Sequence, residues 1–450
     1  MTGLDKVFIG KIVNSLSGLK VEVFERGYVT VRGRQIIDIG NLADKCECLD
    51  KKFGNVERIQ LKNSQILIPG FVDTHIHAPQ YPNCGLGYDK TLLDWLDAYT
   101  YKLERVYRDS KFSKDVFDKV VKKCLDHGTT TACYYGPLFN SANVILTDSV
   151  EKYGQRALIG KVTMTQSPYP DYVEGEEEFM KNITEFVRHV LSRQNDLIQP
   201  IITPRFALSL NSSQMRQLGD LAESQNLHIQ THIAENKDEI RMVQETYNKP
   251  YARVYDDAKL LTNKTVLAHG IYLTDEDLDL IAERNTGISH CPDSNTCLKS
   301  GLCDVKRLLE RGIKVGLGSD VSGGPVPSIR QAMKSALDTS VHLSFIKDNY
   351  EPLTYDQVFC LATIGGAEVL HMQEKIGNFA VNKEFDALIV DVDVESCQVD
   401  DVLDRTPLEI LQKFVYCGDD RNVVGIYVAG RKKEIKNVIH RQTTDRYIVI

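Results

Sequence analysis

The run Pro69-Gly70-Phe71-Val72-Asp73-Thr74-His75-Ile76-His77 ends an apolar stretch in two imidazoles spaced i, i+2. On an extended strand that spacing puts both rings on one side, so His75 and His77 can share a metal ion. Further along, Thr231-His232-Ile233-Ala234-Glu235, Ala268-His269-Gly270 and Gly318-Ser319-Asp320 also close apolar runs. Three imidazoles and a carboxylate suit a borderline cation such as Zn²⁺ and leave a position open for water. The expected ligands are His75, His77, His232 and Asp320. Glu235, three residues past His232, is the candidate proton shuttle, because an activated water needs a base and a leaving amine needs an acid. His269 is expected to hold the attacking oxygen or polarise the substrate from behind the ligands. His290, in Ser289-His290-Cys291-Pro292, closes another run, and a structural role suits it as well as a chemical one. Taken singly, each of these residues is better explained as a core histidine, a helix cap or a helix-start glutamate. Their common position at strand ends argues for a site.

The elements that must position them can be read in order. From residue 69, apolar runs alternate with segments of helical period. Eight strands are expected: Ile66–His77, Thr129–Tyr135, Ala157–Met164, Pro200–Leu208, His228–Glu235, Thr265–His269, Gly287–His290 and Lys314–Asp320. Helix starts are expected at Thr91 and at Thr274-Asp275-Glu276-Asp277, which has the pattern of a capping box. Eight strands, each followed by helical sequence, predict an α/β fold, a (β/α)₈ TIM barrel over 69–375, whose chemistry sits at the C-terminal ends of the strands. Residues 1–68 hold short β runs at Val7–Ile9, Val21–Phe24, Tyr28–Val31 and Ile36–Ile39. After 376, β runs return at Ala387–Val390, Val423–Val428 and Tyr447–Ile450. The two ends, 1–68 and 376–450, are expected to build one small β-sandwich domain.

Within that frame the fourth strand discriminates. Related two-metal barrel hydrolases carry a lysine at this strand end, whose carbamate bridges the metals. Here the strand ends in Pro204-Arg205-Phe206, and a guanidinium, always charged, cannot take that part. One metal is expected. Arg205 is then free to donate to a substrate carbonyl, with Phe206 stacked on a flat ring and the Gln80 amide reading a donor–acceptor edge. A structural ion pair for Arg205 and a core position for Phe206 are the plain alternatives. Gly323-Gly324 allow tight turns beside Asp320, and Asn83–Gly87 could cover the pocket.

Composition restricts the rest. Of 450 residues, 42% are hydrophobic and 26% charged, with a net charge of −8, so a globular protein with no general affinity for nucleic acid is expected. The start, Met1–Lys6, lacks the basic and apolar pattern of a signal peptide, and no run is long enough to span a bilayer. The 11 cysteines, among them Cys46, Cys48, Cys291, Cys297 and Cys303, are expected to be reduced thiols, mostly buried.

The motif at 69–80 resembles the opening motif of the amidohydrolase superfamily, in the form used by its guanine deaminase branch. Pro204–Phe206, His228–Asn236, Leu267–Gly270, His290–Pro292, Gly316–Asp320 and Gly418-Asp419-Asp420-Arg421-Asn422 look like later motifs in the same order. The resemblance implies hydrolysis of guanine to xanthine and ammonia, one zinc per chain, a cytoplasmic homodimer and a place in purine breakdown. It implies Glu235, His269 and Asp320 as catalytic residues, and Gln80, Arg205, Phe206, His232, Glu235 and Asp320 as substrate contacts. Another deaminase or chlorohydrolase acting on a triazine, pterin or adenine-like ring would share the metal residues. A barrel that had lost its chemistry would be expected to have lost them.

Overall fold

The computed structural model describes residues 5–42, 56–395, 397–399 and 403–433. The expected run at 447–450 and Cys46 and Cys48 lie outside the described residues. Eight parallel strands form the barrel: Phe71–His77, Thr129–Gly136, Arg156–Thr163, Ile198–Pro204, His228–Ile233, Thr265–His269, Gly287–His290 and Lys314–Leu317. The last meets the first through Thr74 Oγ1 donating to the Leu317 carbonyl (2.9 Å), and Asp320 N–H donates to the His75 carbonyl (2.9 Å). Every residue of the first three strands is buried, as expected of a parallel sheet covered on both faces.

The expected strand Ile66–His77 is two strands in two sheets. Gln65–Pro69 pairs with Ala387–Asp391 and with Lys6–Leu16, whereas Phe71–His77 pairs with Thr129–Gly136. Pro69 has no N–H to continue a ladder. At Gly70 the chain passes Thr130 so closely that a Cβ would lie 2.2 Å from its Oγ1. The switch therefore falls immediately ahead of the strand that carries His75 and His77.

The chain ends make the second sheet, in the order Arg431–Lys432, Val423–Val428, Ala387–Asp391, Gln65–Pro69, Lys6–Leu16, Lys20–Arg32 and Gln35–Asn41, with Glu57–Gln60 also on Lys6–Leu16. The separate runs 21–24 and 28–31 are one strand, Lys20–Arg32, and its register against Lys6–Leu16 shifts between Gly10 and Ile12. Ahead of that bulge Lys6–Leu16 also pairs with Glu57–Gln60, and after it with Gln65–Pro69. A bulge bends a strand locally, and here it falls where the partner on that edge changes. The core of this sheet joins Phe8, Val29 and Ile36 to Leu67, Ala387, Ile389 and Tyr427.

The capping box at Thr274 is present, with the Thr274 and Asp277 side chains each bonded to the other's backbone N–H. Thr91 stands at the N-cap of Leu92–Trp95 but makes no capping bond. That short helix runs through a π turn, Leu96–Thr100, into Tyr101–Glu104. The fold docks its two parts with a buried ion pair. Arg156, opening the third barrel strand, reaches Asp386 (3.0 Å) and Glu384 (2.6 Å).

Candidate active site

At the C-terminal ends of the strands the barrel brings together His75, His77, His232, His269 and Asp320. His75 and His77 rings meet edge to face with centroids 4.9 Å apart, and the His232 ring is 4.8 Å from that of His75. Asp320 Oδ1 lies 3.2 Å from His75 Nε2 and 3.5 Å from His77 Nε2. Asp320 has φ +44°, and Gly324 N–H donates to its carbonyl at 2.7 Å. A Cβ on Gly324 would stand 2.1 Å from the Ser319 carbonyl oxygen, so the turn needs glycine.

These residues fit a cation. Ring nitrogens of His75, His77 and His232 fall within 4.8 Å of one another, and so do ligand atoms of His75, His269, Cys291 and Asp320. Both nitrogens of buried His75 lack a hydrogen-bond partner among the described residues, which costs about 1–3 kcal/mol per buried polar group left unmet. His232 Nδ1–H donates to the Arg205 carbonyl at 2.5 Å, leaving Nε2 as the free lone pair, 3.1 Å from His77 Nε2. Loss of solvation, with His75 nearby, holds both His77 and His232 well below the usual histidine range. They are neutral, as ligands must be. Burial works against charge on Asp320, but His75 and His269 outweigh it and keep the carboxylate well below its ordinary value. Behind the ligands, buried Asp73 accepts from the backbone of His75 and Ser319. Burial, partly offset by Ser319, pushes Asp73 up to about 6.

Glu235 follows Ala234, which turns the chain at φ +49°. Its carboxyl is 3.5 Å from His269 Nε2, and Asp320 Oδ2 is 3.7 Å from the same atom. Burial, then Asp320 and Glu239, raise the Glu235 pKa well above the usual glutamate range. His269 Nδ1–H donates to Asn295 Oδ1 at 2.9 Å, which turns Nε2 toward the two carboxyls. His290 is buried one strand away, with both nitrogens unpartnered among the described residues. Burial, with His269, lowers its pKa to about 3, so it is a neutral core residue beside the cluster.

His77, His232, His269 and Asp320 of the cluster line a pocket with about 530 Å³ of space, part of it open to solvent. Gln80, Arg205, Phe206 and Glu235 line it, as the sequence suggested, and so does Gly323. Arg205 is not free. It makes a two-pronged pair with buried Glu104, Nη1 to Oε2 at 2.7 Å and Nη2 to Oε1 at 3.1 Å. Gln80 Nε2 (3.0 Å) and Tyr172 OH (2.7 Å) donate to the same carboxylate, and Tyr101 lies under the guanidinium at 5.1 Å. Arg205 therefore combines a structural ion pair with a place in the pocket wall. The pocket also has an apolar wall: Leu92, Trp95, Leu96 and Leu298. Asn83–Gly87 leads into that wall, and Trp95 Nε1–H donates to the Leu86 carbonyl at 2.9 Å.

Sequence reasoning missed Glu104, Glu239, Asn295 and this wall. Glu239 accepts from the backbone N–H of Glu235 (2.9 Å) and Asn236 (3.2 Å) and from Tyr251 OH (2.5 Å). It closes a capping box with Asn236, and the spacing Asn236-x-x-Glu239 was its available signal. Glu104 offers none, since an acidic residue between Lys102 and Arg105 reads as a solvated helix face.

The amidohydrolase family profile matches residues 66–433. The chain is 42% identical to the guanine deaminase of Dictyostelium discoideum, over 95% of this chain and 98% of that protein. It is 40% identical to the guanine deaminase of Mus musculus, over 95% and 96%. A crystal structure of the C. acetobutylicum guanine deaminase with guanine in its active site superposes with a TM-score of 0.88 at 31% identity, covering 96% of this chain and all of that one. A zinc-bound adenosine deaminase from Xanthomonas campestris, at 21% identity and TM-score 0.82, shares the fold. The chain belongs to the metal-dependent amidohydrolase family, in its guanine deaminase branch.

Proposed function

We propose that the protein hydrolyses guanine to xanthine and ammonia. The observation that carries this reading is the joining of an imidazole and carboxylate cluster to the Arg205–Gln80 edge and the Phe206 face around one pocket. Near full-length identity to guanine deaminases supports it. His75, His77, His232 and Asp320 would hold Zn²⁺, one ion per chain, which when bound acts as a Lewis acid and acidifies water.

The side chains supply the remainder. Arg205 donates to the 6-carbonyl oxygen and Gln80 meets the adjoining ring edge, while Phe206 packs on the purine face and the apolar wall excludes water. That holds C2 against the cluster. Glu235 takes a proton from the water that attacks C2, delivers it to N3, and passes a proton to the departing 2-amino group. Its surroundings suit both halves of that task. Burial and the neighbouring carboxyls push it toward holding a proton, and a cation beside it pulls the other way, so its pKa is drawn toward neutrality. His269, its tautomer set by Asn295, and Asp320 orient the oxygen and stabilise the tetrahedral state.

Arg205 in place of a lysine favours one metal over the bridged two-metal site of cyclic amide hydrolases. A homodimer, a cytoplasmic location and a place in purine breakdown belong to the same reading and rest on the family likeness. Among the described residues no helix is long and apolar enough to cross a membrane. The test is ammonia release from guanine, adenine, a pterin and an amino-triazine offered to one preparation. Guanine as the preferred substrate supports the reading, and preference for any other ring overturns it.

A further inference from the structure

Glu104 lies outside the metal cluster and touches no reacting atom, yet it is the point at which the substrate-facing residues meet. It is 1% exposed, and four donors saturate its two oxygens. Oε1 accepts from Gln80 Nε2 and Arg205 Nη2, and Oε2 from Tyr172 OH and Arg205 Nη1. A carboxylate has about four lone-pair sites, so none is spare. Three consequences follow from its being an acceptor only. It holds the guanidinium by a two-pronged grip that fixes its plane. It neutralises Arg205, the one lysine or arginine that lines the pocket among the described residues, which unpaired would be costly to bury. It also decides which way round the Gln80 amide sits, with the NH₂ toward Glu104 and Oε1 accepting from Ser322 N–H at 3.3 Å. The two ends of that amide agree, so it cannot flip without setting N–H against N–H.

We infer that Glu104 is a positioning residue that sets the pocket to read a lactam edge, a ring carbonyl beside a ring N–H, and to reject an amino-substituted edge. The pocket shows donors at Arg205 and a carbonyl acceptor at Gln80, which is the complement of C6=O and N1–H. A ring with an amino group and a bare nitrogen on that edge would put donor against donor and lone pair against lone pair. Sites built on buried hydrogen bonds discriminate strongly in this way. Glu104 stands on the same helical run as Leu92, Trp95 and Leu96, so one segment carries both the anchor of the reading edge and the apolar wall. The inference rests on the reading of the pocket as a guanine site.

The test compares guanine with 2,6-diaminopurine, which keeps the 2-amino group and replaces the 6-carbonyl by an amine. In Glu104→Gln one amide oxygen must serve four donors, and the amide NH₂ adds a donor facing Arg205. Expected are a KM for guanine raised roughly tenfold or more, a smaller change in kcat, unchanged metal content, and a guanine preference over 2,6-diaminopurine narrowed roughly tenfold. Glu104→Asp, still an acceptor-only anion, should keep more of that preference than Glu104→Gln. A wild-type KM and an unchanged preference ratio in Glu104→Gln would overturn the inference. If that variant does not fold, Tyr172→Phe, which removes one bond to Oε2, decides: KM should rise about twofold to twelvefold, since a single hydrogen bond is worth about 0.5–1.5 kcal/mol, and no change overturns it. Absence of guanine turnover in the wild-type protein would refute the functional reading instead. Titrations of Trp95 fluorescence, from the single tryptophan of the chain, with the two purines would then decide the edge reading alone, equal binding overturning it.

Discussion

Glu235→Gln separates chemistry from folding, because the two should move in opposite directions. The variant keeps the size and shape of the side chain and removes its ability to carry a proton. General acid–base catalysis contributes about 10²–10⁴ in rate, and each factor of ten is about 1.4 kcal/mol of barrier. Since one carboxyl serves both the attacking water and the departing amine, the upper part of that range applies, and kcat should fall about 10³–10⁴-fold, or about 4–5.5 kcal/mol. Stability should not fall with it. Glu235 has a folded pKa raised by burial, Asp320 and Glu239. At neutral pH the unfolded chain ionises this group freely and the folded chain resists doing so, which makes the native glutamate a cost to folding. Glutamine removes that cost. The assay is guanine turnover with metal content on one sample, and thermal unfolding of wild type and variant after chelation. Near-normal turnover would refute the proton-shuttle role. A large drop in melting temperature with the lost activity would point to a structural role.

Other perturbations reach the rest of the account. Arg156→Ala strands Asp386 and Glu384 without their buried partner and should cost about 3–5 kcal/mol in denaturant unfolding, whereas a loss below 1 kcal/mol would show that the pair does not dock the two parts. His228 is buried and donates to the Leu370 carbonyl. Burial, with Lys264, lowers its pKa from 6.5 to about 4. Because protonation favours the unfolded chain, stability should be full above pH 6.5 and fall by about 3 kcal/mol as pH drops from 6.5 to 4. His228→Gln should flatten that part of the curve, and an unchanged curve would contradict it. Chelation should remove activity and lower the melting temperature, since a ligand held at 100–1,000 times its Kd stabilises by about 2.7–4.1 kcal/mol. Equal melting curves with and without chelator would contradict a bound metal.

What the sequence disclosed and what it concealed have physical causes. Strands buried on both faces announce themselves as apolar runs, so all eight barrel strands were visible, and the metal-facing residues stand out as polar groups at their ends. The switch at Pro69-Gly70 was hidden because Ile66–Ile68 and Phe71–Val72 are apolar alike and belong to different sheets. Arg205 was recognised as a pocket residue, but its partner was not. Glu104 lies 101 positions away in sequence, and a buried carboxylate on a helix looks like any exposed one until the fold supplies its donors. The same holds for Asn295, whose task is to fix a histidine tautomer across 26 positions.

Guanine supplied to the protein, with loss of its absorbance, release of ammonia and metal content followed on one sample, decides whether this pocket deaminates guanine. Xanthine and ammonia should appear in equal amounts, with about one zinc per chain. Folded, metal-loaded protein that leaves guanine untouched while hydrolysing a triazine, a pterin or adenine would contradict it.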